Sequence, residues 1–177
     1  MITQEMRERI DGWFTGRLPQ EWRSTRAQIT VDREEITVRV AIPDVEIADD
    51  ASDAARAEAR VGRAATFRED TRDRRIEIAR EAERRFDAKV SWGVIVGDGD
   101  DAHRELWTHV AAPAMTRLRQ PQRMVLDTLV EAGVARSRAD ALAWCVRLVG
   151  QHEHDWLGEL RDAMTTVADV REKGPQA

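Results

Sequence analysis

The sequence has a single cysteine, Cys145, no tyrosine, and two lysines, Lys89 and Lys173. One cysteine excludes an intramolecular disulfide and any CxxC metal site. With no disulfide framework, a reducing cytoplasm is the expected compartment. No apolar run reaches the length of a membrane span, so no transmembrane helix is expected. The N-terminal stretch MITQEMRERIDGWF mixes both charge signs and lacks an apolar segment, which argues against a secretory signal. Neither GxGxxG nor GxxxxGK[ST] occurs, so no phosphate-cradling loop is predicted. No Ser/His/Asp constellation can be read from spacing, and the chain is not expected to be an enzyme or to hold a cofactor.

What is present is charge and alanine. Hydrophobic residues make up 42% of the chain and charged residues 34%, the balance of a globular protein with a heavily charged surface. The net charge of −5 argues against indiscriminate binding of nucleic acid. Its distribution is uneven: residues 103–150 hold seven basic against four acidic side chains, whereas residues 1–102 and 151–177 are both net acidic. A selective contact with a polyanion would therefore sit in the 103–150 stretch.

Periodicity places the elements. Met6, Ile10, Trp13 and Phe14 recur at helical spacing over residues 4–14, and Gly16 and Pro19 end that helix. AQITVDREEITVRVAI (27–42) alternates with period two on both sides of a polar DREE turn, the pattern of a β-hairpin. Residues 44–60 are acidic and alanine-rich and read as a solvated connector. TFREDTRDRRIEIAREAERRF reads as one long helix with Phe67, Ile78, Ala82 and Phe86 near one face. KVSWGVIVGD reads as a strand, and the glycines and aspartates of 97–101 as a loop and domain boundary. The expected class is α+β. A hairpin–helix–strand unit over 1–100 is followed by a mainly helical module over 103–170 and a frayed tail over 171–177.

Within that module, residues 115–119 fit either a short strand or, through Met115, Leu118 and Val125, a helical stripe, and a helix from about Gln122 to Ala132 is capped by Gly133. Ser137 with Asp140 three residues on looks like a capping box opening a second helix, which runs to about Gly150. A last helix has Trp156, Leu160, Met164 and Val167 on one face.

The segments MTRL (115–118), VLDTLVEAG (125–133) and ARSRADALAWCV (135–146) together resemble a ribbon-helix-helix module. That resemblance implies a homodimer. One strand from each chain pairs into an antiparallel ribbon that enters the DNA major groove, and the second helices clamp the flanking phosphates through their N-termini. It implies that Arg117 and Arg119 face base edges, because they alternate onto one side of the strand while Leu118 turns inward. Arg123, Arg136, Ser137 and Arg138 would meet phosphates, and Leu118, Leu129, Leu142, Trp144 and Val146 would form the dimer interface. The spacing between strand and helix is about two residues longer than in that family. The same stretch, LDTLVEAGVARSRADA, is similar to the helix pair of the S4 RNA-binding domain. The short strand that should follow that pair is replaced here by the helical QHEHDWLGEL. Against both stands ordinary helix packing in an acidic homo-oligomeric scaffold that touches no nucleic acid.

Other groups point to packing rather than chemistry. His152 and His154 in HEHD sit two apart, a spacing that diverges on a helix, so no metal site is expected. GDGDD (97–101) lacks the spaced ligands and closing glutamate of a calcium loop. Cys145, beside Trp144, reads as a small buried hydrophobe. The six tryptophans are scattered and read as core and interface plugs.

Overall fold

The computed structural model describes residues 2–22 and 27–173; side chains are described for all of these except His154, Thr165 and 168–173. The α+β class is as expected: the described residues form a four-stranded sheet and six α-helices. The chain divides into two compact units, Met1–Pro113 and Ala114–Ala177.

Unit 1 begins with α1 (Gln4–Arg17). The Thr3 hydroxyl caps it by accepting from the Met6 amide at 3.2 Å, satisfying one of the orphan donors of the first turn. Ile10 and Phe14, four apart, are buried. A hairpin follows, β1 (Gln28–Val31) and β2 (Glu35–Ile42), antiparallel with Val31 opposite Ile36. Asp32 makes the turn: its Oδ1 accepts from the amides of Glu34 and Glu35 at 2.9 and 2.8 Å. Along β2, Ile36, Val38, Val40 and Ile42 all point into the core, as the period-two pattern requires.

Two expectations fail between β2 and β3. The connector is shorter than predicted, because Ser52 caps a helix, α2 (Asp53–Asp70), by accepting from the Ala55 amide at 3.2 Å. Alanine-rich sequence is a good helix former even without a strong apolar stripe. The predicted single long helix is also divided. Thr71, with ψ near 0°, separates α2 from α3 (Arg72–Phe86), and its hydroxyl donates back to the Phe67 carbonyl. α3 ends at Asp87, which takes the left-handed conformation at φ 52°.

Strand β3 (Lys89–Val96) pairs parallel with β2, so α2 and α3 form the crossover. The GDGDD stretch does not end the unit. It is the turn of a second hairpin, with Gly97 and Gly99 at φ +80° and +71°, leading into β4 (His103–Leu106), antiparallel to β3. Turn residues are the same whether a chain reverses within a sheet or leaves a domain, which is why the sequence pattern reads as a boundary. The strand order is β1-β2-β3-β4. Gly93 in β3 is required by close approach: a Cβ there would lie 2.4 Å from the Glu105 carbonyl oxygen.

The core gathers Ile10, Phe14, Trp22, Val38, Val40, Phe67, Ile78, Trp92 and Val94. Trp22 meets Phe67 and Trp92 edge-on at 5.6 and 6.3 Å between ring centroids. Arg75 is buried without a carboxylate partner among the described residues. Its guanidinium lies 4.5 Å from the Trp107 ring centroid and donates to the Arg68 carbonyl and the Thr71 hydroxyl. Burial pushes its pKa down from the usual value.

Unit 2 holds α4 (Gln120–Glu131), α5 (Arg138–His152) and α6 (His154–Lys173). The expected tail thus contributes helix through Lys173, and residues 174–177 lie outside the described part. No strand is assigned at 115–119 in the isolated chain. No described helix is long and apolar enough to cross a membrane.

Candidate nucleic-acid interface

The helix pair is built as the sequence predicts. α4 closes in a Schellman motif around Gly133 at φ +74°: the Gly133 amide donates to Val130 O and the Val134 amide to Leu129 O, both at 3.0 Å. Ser137 caps α5, its hydroxyl accepting from the Asp140 amide at 3.2 Å. Asp140 reaches back to the Arg136 amide at 3.0 Å, one residue before the cap. This reciprocal bond holds the Asp140 carboxyl below its ordinary pKa.

Between the helices lies a small core of Leu126, Ala135 and Ala141, edged by Leu118, Leu129, Val130, Leu142 and Cys145. Three residues expected at a dimer interface, Leu118, Leu129 and Leu142, therefore pack within their own chain. Trp144 is half-buried and Val146 is 67% exposed. Cys145 packs against this core as expected, but is half-buried rather than buried.

The segment before α4 is the distinctive feature. Residues 111–117 are exposed, Met115 to 97%, while Leu118 turns into the small core. Arg119 is extended at φ −79°, ψ 165°, and its amide donates to Gln122 Oε1 at 2.9 Å. Arg123 Nη1 donates to the Leu118 carbonyl at 2.7 Å, pinning the end of the segment to the helix. Among the described residues, the amides of Met115 to Leu118 find no backbone partner within the chain.

The six residues predicted to meet nucleic acid fall into two groups. Arg117 and Arg119 are exposed, without a carboxylate partner among the described residues, and Arg123 lies beside them. Arg136, Ser137 and Arg138 cluster at the start of α5, where the first-turn amides of Arg138 and Ala139 have no intrahelical acceptor. Arg138 already has a partner within its own chain. Its guanidinium makes a bidentate pair with Asp127 of α4 at 2.5 and 2.7 Å. The pair holds the Asp127 carboxyl below its usual pKa and raises that of Arg138. Ser137 is likewise occupied as a cap. Arg136 is 95% exposed and only loosely paired with Asp140, at 3.6 Å. The Asp127–Arg138 pair joins residues eleven apart across a turn, which helical spacing does not reveal.

Unit 1 has a crevice of about 520 Å³ between the start of α2 and the β3–β4 turn. Asp53 and Asp101 in its lining offset Arg56, Arg60 and Arg104. Among the described residues no cluster of three or more metal-ligating side chains occurs. His152 is exposed, and the His154 side chain lies outside the described part.

Comparison with known proteins identifies two family domains in the chain. Residues 8–102 match the Rv1265-like protein, N-terminal domain, and residues 119–171 match the Mb1296 C-terminal domain. The stretch from His103 to Leu118 falls between the two matches. The uncharacterized protein Mb1296 of Mycobacterium bovis and the uncharacterized protein Rv1265 of Mycobacterium tuberculosis are each 55% identical to this chain over 163 residues. Each alignment spans 92% of this chain and 69% of the relative. No solved structure matches. The chain belongs to the Rv1265-like family, with an Rv1265-type unit followed by an Mb1296-type one.

Proposed function

We propose that the chain is a dimeric DNA-binding protein, a transcriptional regulator that contacts DNA through unit 2, with unit 1 as a sensor or interaction domain. The observation that supports this most is the segment ahead of α4. Leu118 turns into the small core while Met115, Thr116, Arg117 and Arg119 are exposed, which leaves both arginines free to face a partner. Among the described residues, the amides of Met115 to Leu118 have no backbone partner within the chain. Such an edge is completed by a strand from another molecule. In a two-fold ribbon Arg117 and Arg119 would project from one face, where arginine suits bidentate contact with guanine. Arg136 and the first-turn amides of α5 would take a phosphate.

The Asp127–Arg138 pair favours a second reading, an acidic homo-oligomeric scaffold, because it removes a cation from the phosphate-facing set. Fluorescence anisotropy of labelled duplex DNA separates the two. A regulator binds selected duplexes, with affinity falling steeply as salt rises. Arg117→Ala with Arg119→Ala then costs about 1–3 kcal/mol per lost base contact and relaxes sequence preference. A scaffold binds no duplex above background in either form.

A further inference from the structure

We propose that Arg75, with Arg68 and Arg72, forms a binding site in unit 1 for a tetrahedral oxyanion, either inorganic phosphate or the phosphate group of an ester. This extends the sensor part of the reading above and is independent of DNA. Arg75 is 8% exposed, and a buried charge is ordinarily matched by an opposite one. Here the counter-charge is missing. No acid among the described residues pairs with Arg75, and none of the residues of unit 1 outside the described part, Met1 and RSTR at 23–26, is acidic. The charges that act on Arg75 are those of Arg68 and Arg72, which, after burial, lower its pKa further. Both are exposed and make no ion pair among the described residues. Helical bonding persists across the break at Thr71, with the Thr71 amide on the Phe67 carbonyl at 3.2 Å and the Arg75 amide on the Thr71 carbonyl at 2.9 Å. Arg68, Arg72 and Arg75, at spacings of four and three, therefore share one face. Like charges at those spacings destabilise a helix on their own.

The way Arg75 is held defines the ligand. Nε donates to the Thr71 hydroxyl at 3.1 Å and Nη2 to the Arg68 carbonyl at 2.6 Å, which fixes the guanidinium plane. The Trp107 ring backs it at 4.5 Å. Nη1 makes no hydrogen bond among the described residues and is not sealed from solvent, so its N–H groups remain for a ligand. The Trp107 indole nitrogen is a further buried donor with no acceptor. Asp73, close in sequence, lines a different groove with Glu77, Arg80 and Arg84. The face thus offers donors and positive charge and no acid to repel an anion. Guanidinium forks match the oxygens of phosphate, and a dianion offsets more of this charge than a single carboxylate does.

Calorimetric titration and thermal denaturation of the full chain test it, with inorganic phosphate and glycerol phosphate as probes and chloride at matched ionic strength as the control. Phosphate at roughly ten times its Kd should raise the melting temperature by about 3–6 °C over chloride. Tighter binding of the ester than of the free ion assigns the site to a phosphorylated molecule, and the reverse order assigns it to phosphate itself; both support the site. Arg68→Ala with Arg72→Ala removes two exposed side chains and leaves Arg75 in place. It should weaken binding by about tenfold or more while the melting temperature in chloride holds or rises. Arg75→Lys, which keeps the charge and loses the fork, should weaken binding as well. Equal melting in phosphate and chloride, or full affinity in the double variant, overturns the proposal and leaves Arg75 as a brace for the helix break. Duplex anisotropy is read separately. Phosphate binding without duplex binding sinks the DNA reading alone, and duplex binding without phosphate binding sinks this site alone.

Discussion

Asp44 shows how single side chains hold unit 1 together. Its carboxylate follows β2 and takes a bidentate pair from Arg60 of α2, at 2.8 and 2.6 Å. Arg60 also donates to the Asp101 carbonyl at 2.6 Å, so one guanidinium fastens the end of β2 to the β3–β4 turn. The hydrogen bond from Arg60 lowers the Asp44 pKa to about 2. A carboxyl depressed on folding stabilises the fold above its unfolded value and loses that contribution as pH falls through the folded one. Asp44 therefore supports unit 1 above about pH 4, and its contribution fades from there towards pH 2. Asp44→Asn should lower the melting temperature at pH 7 and shrink the gap from the parent protein at pH 2. Thermal denaturation at the two pH values measures this, and an equal deficit at both would refute it. The effect is modest, because the Asp44 side chain is 43% exposed.

At the scale of elements, the Asp127–Arg138 pair ties α4 to α5 across their turn. Both side chains are well exposed, so breaking the pair should change stability little. Its consequence for binding is larger. Asp127→Asn removes an anion and frees Arg138 for a phosphate. On the DNA reading, the variant binds duplex more tightly than the parent at low salt, and its salt slope steepens by about 0.9 for one more phosphate contact. Weaker or unchanged binding in the anisotropy titration would show that Arg138 never faces DNA.

The elements also show what the sequence makes legible. Alternation identified β2, and the Gly133 and Ser137 caps located the ends of α4 and α5, because these signals act over a few residues. The break at Thr71 escaped, since a threonine hydroxyl returning to the Phe67 carbonyl leaves the helical pattern on both sides intact. β4 escaped because HREL is short, polar at one end and next to a glycine-rich turn. Of the candidate site, the inward turn of Leu118 and the exposure of Arg117 and Arg119 were readable from alternation. The capture of Arg138 by Asp127 was not, because it depends on how the two helices pack.

The two units differ most in how they bury apolar surface. Unit 1 closes a core of aromatic and β-branched residues on one face of its sheet. Unit 2 buries Leu126, Ala135 and Ala141 and leaves Met124, Val125, Val146, Val149, Trp156, Leu160 and Met164 exposed. Small units with few buried apolar residues often gain stability from oligomerisation. Patches of this kind on a single subunit mark an interaction surface. The proposed function accordingly calls for a pair of chains joined through unit 2 and displaying Arg117 and Arg119 to a polyanion.

The most direct test is the mass of the full chain in solution, by light scattering at low salt, alone and with duplex DNA. The account predicts twice the chain mass without DNA and a discrete complex of two chains per duplex with it. A chain that runs as a single 20.1 kDa subunit, with its mass unmoved by DNA, would contradict it.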